Sequence, residues 1–142
     1  MVLRLNVEVE CELTKILVVD DEDDIVELTE RLLRSNGYEV STAKDGDEAL
    51  ELMINDDIDL VILDIMMPNK HGLDVIREMK ANKNLKNIII MVFSALGTGT
   101  KLLLKQENQA DYYVQKPFRA KVFLDQINEI MRKKIGISPE AV

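Results

Sequence analysis

From Lys15 onward the chain alternates short apolar runs with amphipathic stretches. Ile16-Leu17-Val18-Val19 stops abruptly at Asp20-Asp21, Leu60-Val61-Ile62-Leu63 at Asp64, and the run from Ile88 to Phe93 at Ser94. Unbroken runs of this length fit strands buried on both faces, as in a parallel sheet covered by helices. Helical periods lie between them. Ile25, Leu28, Leu32 and Leu33 share one face, with Gly37 placed to end that helix in the left-handed conformation. Ala49, Leu52 and Met53 mark a second helix starting near Asp45-Gly46-Asp47; Val75, Ile76 and Met79 mark a third after Gly72. Phe123, Ile127, Ile130 and Met131 mark the last, after Pro117. The stretch 97–108 is a weaker helix, because Gly97 and Gly99 lower propensity and Leu102, Leu103 and Leu104 are consecutive rather than periodic.

Segments 38–42 and 111–114 complete five strands and five helices, an α/β chain of (βα)5 type. Right-handed crossovers leave few topologies, and the predicted one is a flavodoxin-like, doubly wound parallel sheet of strand order 2-1-3-4-5. Ligands in such sheets sit at the carboxyl ends of the strands, near the switch point between strands 1 and 3. That rule points to Asp20, Asp21, Asp64, Ser94 and the residues after Val114.

Residues 1–14 stand apart. Leu3, Leu5, Val7, Val9, Cys11 and Leu13 alternate with Arg4, Asn6, Glu8, Glu10 and Glu12, the pattern of a half-buried strand. No turn residues separate this extension from the first strand, so a tight hairpin is not expected. It can pack across its own domain or pair with another molecule; the intermolecular form, giving a homodimer through residues 1–14, is slightly preferred.

Composition narrows the class. With 142 residues, 46% hydrophobic and 31% charged, the chain suits one soluble domain. No apolar run approaches the ~18 residues of a spanning helix, and no signal peptide is evident, so a cytoplasmic location and no membrane partner are expected. Cys11 is the lone cysteine, which excludes an internal disulfide or thiolate metal cluster. A net charge of −8 argues against direct nucleic-acid binding. Arg132, Lys133 and Lys134 read as cations compensating a helix C-terminus. Residues 135–142 form a short tail, with no room for an output domain, so the chain is expected to be stand-alone or cut from a longer one.

Three carboxylates converging at strand ends repel one another unless a proton or cation relieves them. All ligands on offer are oxygen, and Mg²⁺, which takes one or two carboxylates and completes its shell with water and phosphate, fits best. Asp20-Asp21-Glu22 alone would read as an acidic helix start. A calcium EF-hand is excluded because Ile25 stands where its loop needs glycine. Asp64 is followed by Met67-Pro68, which blocks regular pairing, and by Gly72, which permits a turn. A carboxylate held there can be a nucleophile towards phosphorus or, equally, the cap of a turn. Ser94 offers a hydroxyl to a phosphoryl oxygen, and Lys116 a compact cation able to pair first with Asp64 and then with the phosphoryl group. An X-Pro bond at Lys116-Pro117 can adopt the cis form that would aim the lysine inward. Four such features, in order and at successive strand ends, outweigh the bland reading of each.

Taken together, Ile16-Leu-Val-Val-Asp-Asp-Glu22, Leu60-Val-Ile-Leu-Asp64 with Met67-Pro68 and Gly72, Phe93-Ser94-Ala95, and Ala110-Asp111 through Lys116-Pro117-Phe118 resemble the receiver domain of two-component response regulators. The resemblance covers Lys15 to Lys134, with 30 residues from Asp64 to Ser94 and 52 to Lys116 as in that family. It implies that Asp64 accepts a phosphoryl group from a sensor histidine kinase or phosphotransfer protein. It implies Mg²⁺ bound by Asp21, Asp64 and the backbone carbonyl of Met66, with Asp20 nearby or through water. Ser94 and Lys116 would recognise the phosphoryl oxygens and Tyr113 would be the aromatic switch. Phosphorylation would draw Ser94 inward and remodel the face built from the 97–108 stretch, the fifth strand and the last helix, signalling to a downstream effector protein. The chain would then be no ordinary enzyme, catalysing only its own phosphotransfer and dephosphorylation.

Some positions depart from the family pattern. Gln109 stands where glycine is usual, and Gly97 to Thr100 make a permissive start to the weak helix. Met66 and Leu96 are apolar where the resemblance places them beside the phosphoryl group; they are expected to hinder the attacking water and prolong the phosphorylated state. Replacing both with polar residues and finding an unchanged dephosphorylation rate would sink that expectation. A haloacid-dehalogenase-type phosphatase needs a second Asp where Met66 stands, and a non-phosphorylated pseudo-receiver would lack one of the acids or the lysine. His71, the single histidine, reads as a surface residue.

Overall fold

The computed structural model describes residues 14–65, 67, 70–94, 110–116 and 118–134. The alternating segment before Thr14, the weak helix of 97–108, Gln109 and the tail 135–142 lie outside the described residues, as do Met66 and Leu96. Five parallel strands, β1 (Lys15–Val19), β2 (Glu39–Ala43), β3 (Leu60–Asp64), β4 (Ile89–Ser94) and β5 (Tyr112–Gln115), form one sheet of order β2-β1-β3-β4-β5. The helices among the described residues are α1 (Asp23–Arg34), α2 (Gly46–Asn55), α3 (Gly72–Ala81) and α4 (Ala120–Lys134). Fold class and strand order are those the sequence predicts.

The unbroken apolar runs are explained by cores on both faces. Alternate strand residues point to opposite sides. Leu17, Val19, Val61, Leu63, Ile90 and Val92 pack with Ala49 and Met53 of α2 and Val75, Ile76 and Met79 of α3. Ile16, Val18, Leu60, Ile62, Met91 and Phe93 pack on the other face with Leu33 of α1 and Phe123, Ile127, Ile130 and Met131 of α4. Each fully buried aliphatic side chain contributes about 1.5–3 kcal/mol, so β1, β3 and β4 are held from above and below, while the edge strand β5 is only partly buried.

The helix ends are set by local chemistry. Asp45 accepts a hydrogen bond from the Glu48 amide at 2.9 Å while Glu48 Oε1 accepts from the Lys44 amide at 2.8 Å, a reciprocal cap on α2. Gly37 has φ +90° just beyond α1, as its position predicts. The apolar face of α1 is narrower than the sequence suggests. Leu33 is buried, but Leu28 is 48% exposed and Thr29 is buried instead. Burial of Thr29 is tolerated because its hydroxyl donates to the Ile25 carbonyl at 2.7 Å, satisfying the polar group within the helix.

Candidate functional site

Parallel pairing brings the carboxyl ends of all strands to one edge. Val19 pairs with Leu63, so Asp20 and Asp64, each one residue further on, come side by side. Asp64 pairs with Phe93, and Ser94 with Gln115, which sets Ser94 and Lys116 at the same edge on β4 and after β5. The backbone turn behind Asp64 is close. Gly72 N–H donates to the Ile65 carbonyl at 2.9 Å, and a Cβ on Gly72 would lie 2.6 Å from the Asp64 carbonyl oxygen. Glycine is therefore required there by space.

Asp20, Asp21 and Asp64 each offer a carboxylate oxygen, all within 4.8 Å of one another. Asp20 and Asp64 are buried and Asp21 is exposed, so the cluster opens to solvent on one side. Lys116 Nζ donates to Asp20 Oδ2 at 2.7 Å, and lies 3.3 Å from Glu22 Oε1 and 3.7 Å from Asp64 Oδ2. Asp20 Oδ1 accepts from the Glu22 amide at 3.0 Å. Burial pulls the Lys116 ammonium down, but the hydrogen bond to Asp20 and the charges of Asp20 and Asp64 outweigh it and hold the group above its ordinary value. Lys116 is therefore charged at neutral pH.

One ammonium against the three clustered carboxylates leaves an excess of two negative charges. The donors are all oxygen, close together and open on one side, which is the donor set a hard divalent cation such as Mg²⁺ takes. The residues present fit that ion.

Beneath the lysine lies an aromatic floor. Lys116 Nζ sits 5.2 Å from the Phe93 ring centroid, within cation–π range. Phe93 contacts Phe118 edge-on at 5.0 Å, and Phe118 meets Phe123 of α4 at 4.9 Å. These rings tie the end of β4 to the turn that carries Lys116.

The structure thus brings Asp20, Asp21, Asp64 and Lys116 together as the sequence leads one to expect, and places Ser94 at the end of β4 beside them. Met66 lies outside the described residues. Tyr113, the expected switch residue, is half-buried on β5, and burial raises its phenol above the ordinary value. Two contacts escape sequence reasoning. Lys116 pairs most closely with Asp20 rather than Asp64, and Glu22 is a third acid on the lysine. Neither preference has a spacing signal, because both depend on where the side chains reach rather than on their position along the chain. His71 is the N-cap of α3, its Nδ1 accepting from the Leu73 amide at 3.2 Å.

A family model for the response regulator receiver domain matches residues 16–128. The transcriptional regulatory protein CpxR of Escherichia coli (strain K12) is 36% identical over 121 residues, covering 85% of this chain and 50% of that protein. The chain spans about half the length of the curated relatives it matches. The CheY-like response regulator receiver domain protein from Methanospirillum hungatei JF-1 superposes with a TM-score of 0.77 at 27% identity, over 86% of this chain and 96% of that one. A receiver domain protein from Clostridium thermocellum gives 0.75 at 34% identity, over 88% and 100%. With the matched region spanning nearly the whole sheet and its edge of acids and lysine, the chain belongs to the response regulator receiver domain family.

Proposed function

We propose that Lys15 to Lys134 form a cytoplasmic phosphoacceptor switch in which an Asp64 carboxylate oxygen attacks phosphorus. The P–N bond of a phosphohistidine, or the P–O bond of a small phosphodonor, breaks as the aspartyl phosphate forms, and the leaving group departs with its electron pair. The observation that carries this reading is the Lys116 ammonium lodged between buried Asp20 and Asp64. A cation already held beside the nucleophile can follow the charge that develops on the phosphoryl oxygens without reorganising. Ser94, at the end of the neighbouring strand, supplies a hydroxyl donor to the same group. Asp21 and Asp64, with the Met66 backbone carbonyl and with Asp20 nearby or through water, would hold Mg²⁺. When bound, Mg²⁺ neutralises charge between the phosphoryl oxygens and the acids.

A sensor histidine kinase or phosphotransfer protein donates, and an effector protein reads the outcome through the β5–α4 face around Tyr113. Direct nucleic-acid binding is no part of the proposal for this chain, whose net charge is −8. No helix among the described residues is long and apolar enough to cross a membrane.

The test is intact-mass spectrometry after incubation with acetyl phosphate and Mg²⁺. A single base-labile phosphoryl adduct on the wild type and none on Asp64→Ala is expected. An adduct that persists on Asp64→Ala would overturn the assignment. No adduct from either acetyl phosphate or a phosphorylated histidine donor would point instead to an interaction module that never takes phosphate.

A further inference from the structure

The Lys116 ammonium is held by opposing pulls. Asp20 at 2.7 Å and Asp64 at 3.7 Å, both buried, draw it inward. Glu22 at 3.3 Å draws it outward, its side chain being 62% exposed. As the N-cap of α1, Glu22 makes no side-chain capping bond that would compete with this contact. Below the ammonium lies the ring of Phe93, its centroid 5.2 Å from Nζ. Phe93 is buried, and its register partners on the neighbouring strands are Asp64 and Val114. Ile16, Val18, Leu60, Ile62 and Met91 on the same sheet face carry no ring, so burial alone does not call for an aromatic residue here. What a ring adds is a negatively polarised face. Phe118 at 5.0 Å and Phe123 at 6.1 Å fix its orientation.

We infer that Phe93 is a positioning residue for Lys116, the face of its ring holding the ammonium inside the acid cluster against the outward pull of Glu22. The inference rests on the phosphoacceptor reading above. In that reaction the ammonium follows the charge that develops on phosphoryl oxygens beside Asp64, and a lysine drawn out to Glu22 would first have to return. A buried ring on a strand paired along both sides keeps the lysine within reach before the reaction begins. The contribution is electrostatic, so it depends on the electron density of the ring and not on its volume.

The test replaces Phe93 in the full chain with phenylalanines carrying one, two and three ring fluorines, which withdraw electron density from the face while changing ring size little. Acetyl phosphate labelling at saturating Mg²⁺ is expected to slow with each fluorine, by roughly fivefold across the series, the scale of a partly desolvated cation–π contact. Tm should not fall. The ε-methylene protons of Lys116, shifted upfield by the ring in the wild type, should move back towards free-chain positions by NMR over the same series. Glu22→Gln should shrink the loss, because nothing then draws the ammonium outward. A labelling rate that is unchanged or rises with fluorination overturns the inference. So does a loss that follows a matching fall in Tm, or one that is as large in Glu22→Gln. A wild type that takes no phosphate from acetyl phosphate or a phosphorylated histidine donor fails the phosphoacceptor reading itself, and the ε-methylene shifts then decide alone whether the ring holds the lysine. A wild type that is labelled while those shifts stay fixed across the series fails only the positioning role.

Discussion

Lys116 stands 2.7 Å from Asp20 but 3.7 Å from Asp64, so the lysine leans on the acid that does not receive phosphate in the proposed reaction. The side chain of Asp20 is fully buried and that of Lys116 is 10% exposed, so neither is freely solvated. Removing one partner of such a pair leaves a buried charge uncompensated. Lys116→Met is therefore expected to lower stability by about 3 kcal/mol in the absence of divalent cations, measured by urea unfolding. Added Mg²⁺ should recover part of the loss by supplying positive charge to the same acids. No loss in the variant would mean that water reaches Asp20 and already compensates it.

Asp64→Asn should act in the opposite direction. Three carboxylates within 4.8 Å with one lysine among them repel, and the variant removes one charge while leaving the Lys116–Asp20 hydrogen bond in place. A gain of about 1 kcal/mol without Mg²⁺ is expected, visible as a higher Tm, and it should shrink or reverse as Mg²⁺ is added because the wild type binds the ion more tightly. A variant less stable than the wild type without metal would show that the attraction between Lys116 and Asp64 exceeds the repulsion among the acids.

These two expectations rest on residues whose chemistry was legible in the sequence before any geometry. The runs 16–19, 60–63 and 88–93 are apolar without interruption because both sheet faces are covered, and each ends at a polar residue at the carboxyl edge of the sheet. A parallel sheet brings those ends together, so Asp20, Asp64, Ser94 and Lys116 could be read as one site from order alone. Pairing preference could not. That Lys116 binds Asp20 more closely than Asp64, and also touches Glu22, is decided by side-chain geometry that order along the chain does not carry. The α1 face misled for a related reason. Leu28 matches the helical period, but the sheet contact is centred on Thr29 and Leu33, and Thr29 can be buried only because Ile25 accepts its hydroxyl hydrogen.

Gly72→Ala tests how tightly the phosphoacceptor strand end is packed. Its Cβ would meet the Asp64 carbonyl oxygen at 2.6 Å and Ile65 Cα at 2.7 Å, both backbone atoms that cannot swing aside. The overpacking is expected to cost about 1–3 kcal/mol in urea unfolding and to slow acetyl phosphate labelling, because relief requires moving Asp64 itself. Destabilisation with labelling unchanged would locate the relaxation in α3 instead.

At the opposite end of the sheet, the Lys15–Asp56 pair predicts a pH profile. Lys15 Nζ lies 2.8 Å from Asp56 Oδ1 and 3.6 Å from Glu39 Oε2. The hydrogen bond to Asp56 raises the Lys15 ammonium above its ordinary value, despite some desolvation, and the same bond with the Asp57 amide lowers the Asp56 carboxyl. A lowered folded-state carboxyl gives stability that is present above the ordinary carboxylate value and lost as pH falls through the lowered one. A raised ammonium gives stability that is present below the ordinary lysine value and lost as pH rises through the raised one. The pair should therefore stabilise the fold evenly between about pH 4 and about pH 10, and fade beyond either limit. Comparing urea midpoints of wild type and Asp56→Asn across this range isolates the pair from the other titrating groups. The difference should be flat across the plateau, vanish in acid, and narrow in strong alkali to what the Asp57 amide bond alone supplies. A difference that persists unchanged at pH 2 would mean that Asp56 acts through its hydrogen bonds as a neutral group, and that its charge contributes nothing to the closure of this end of the sheet.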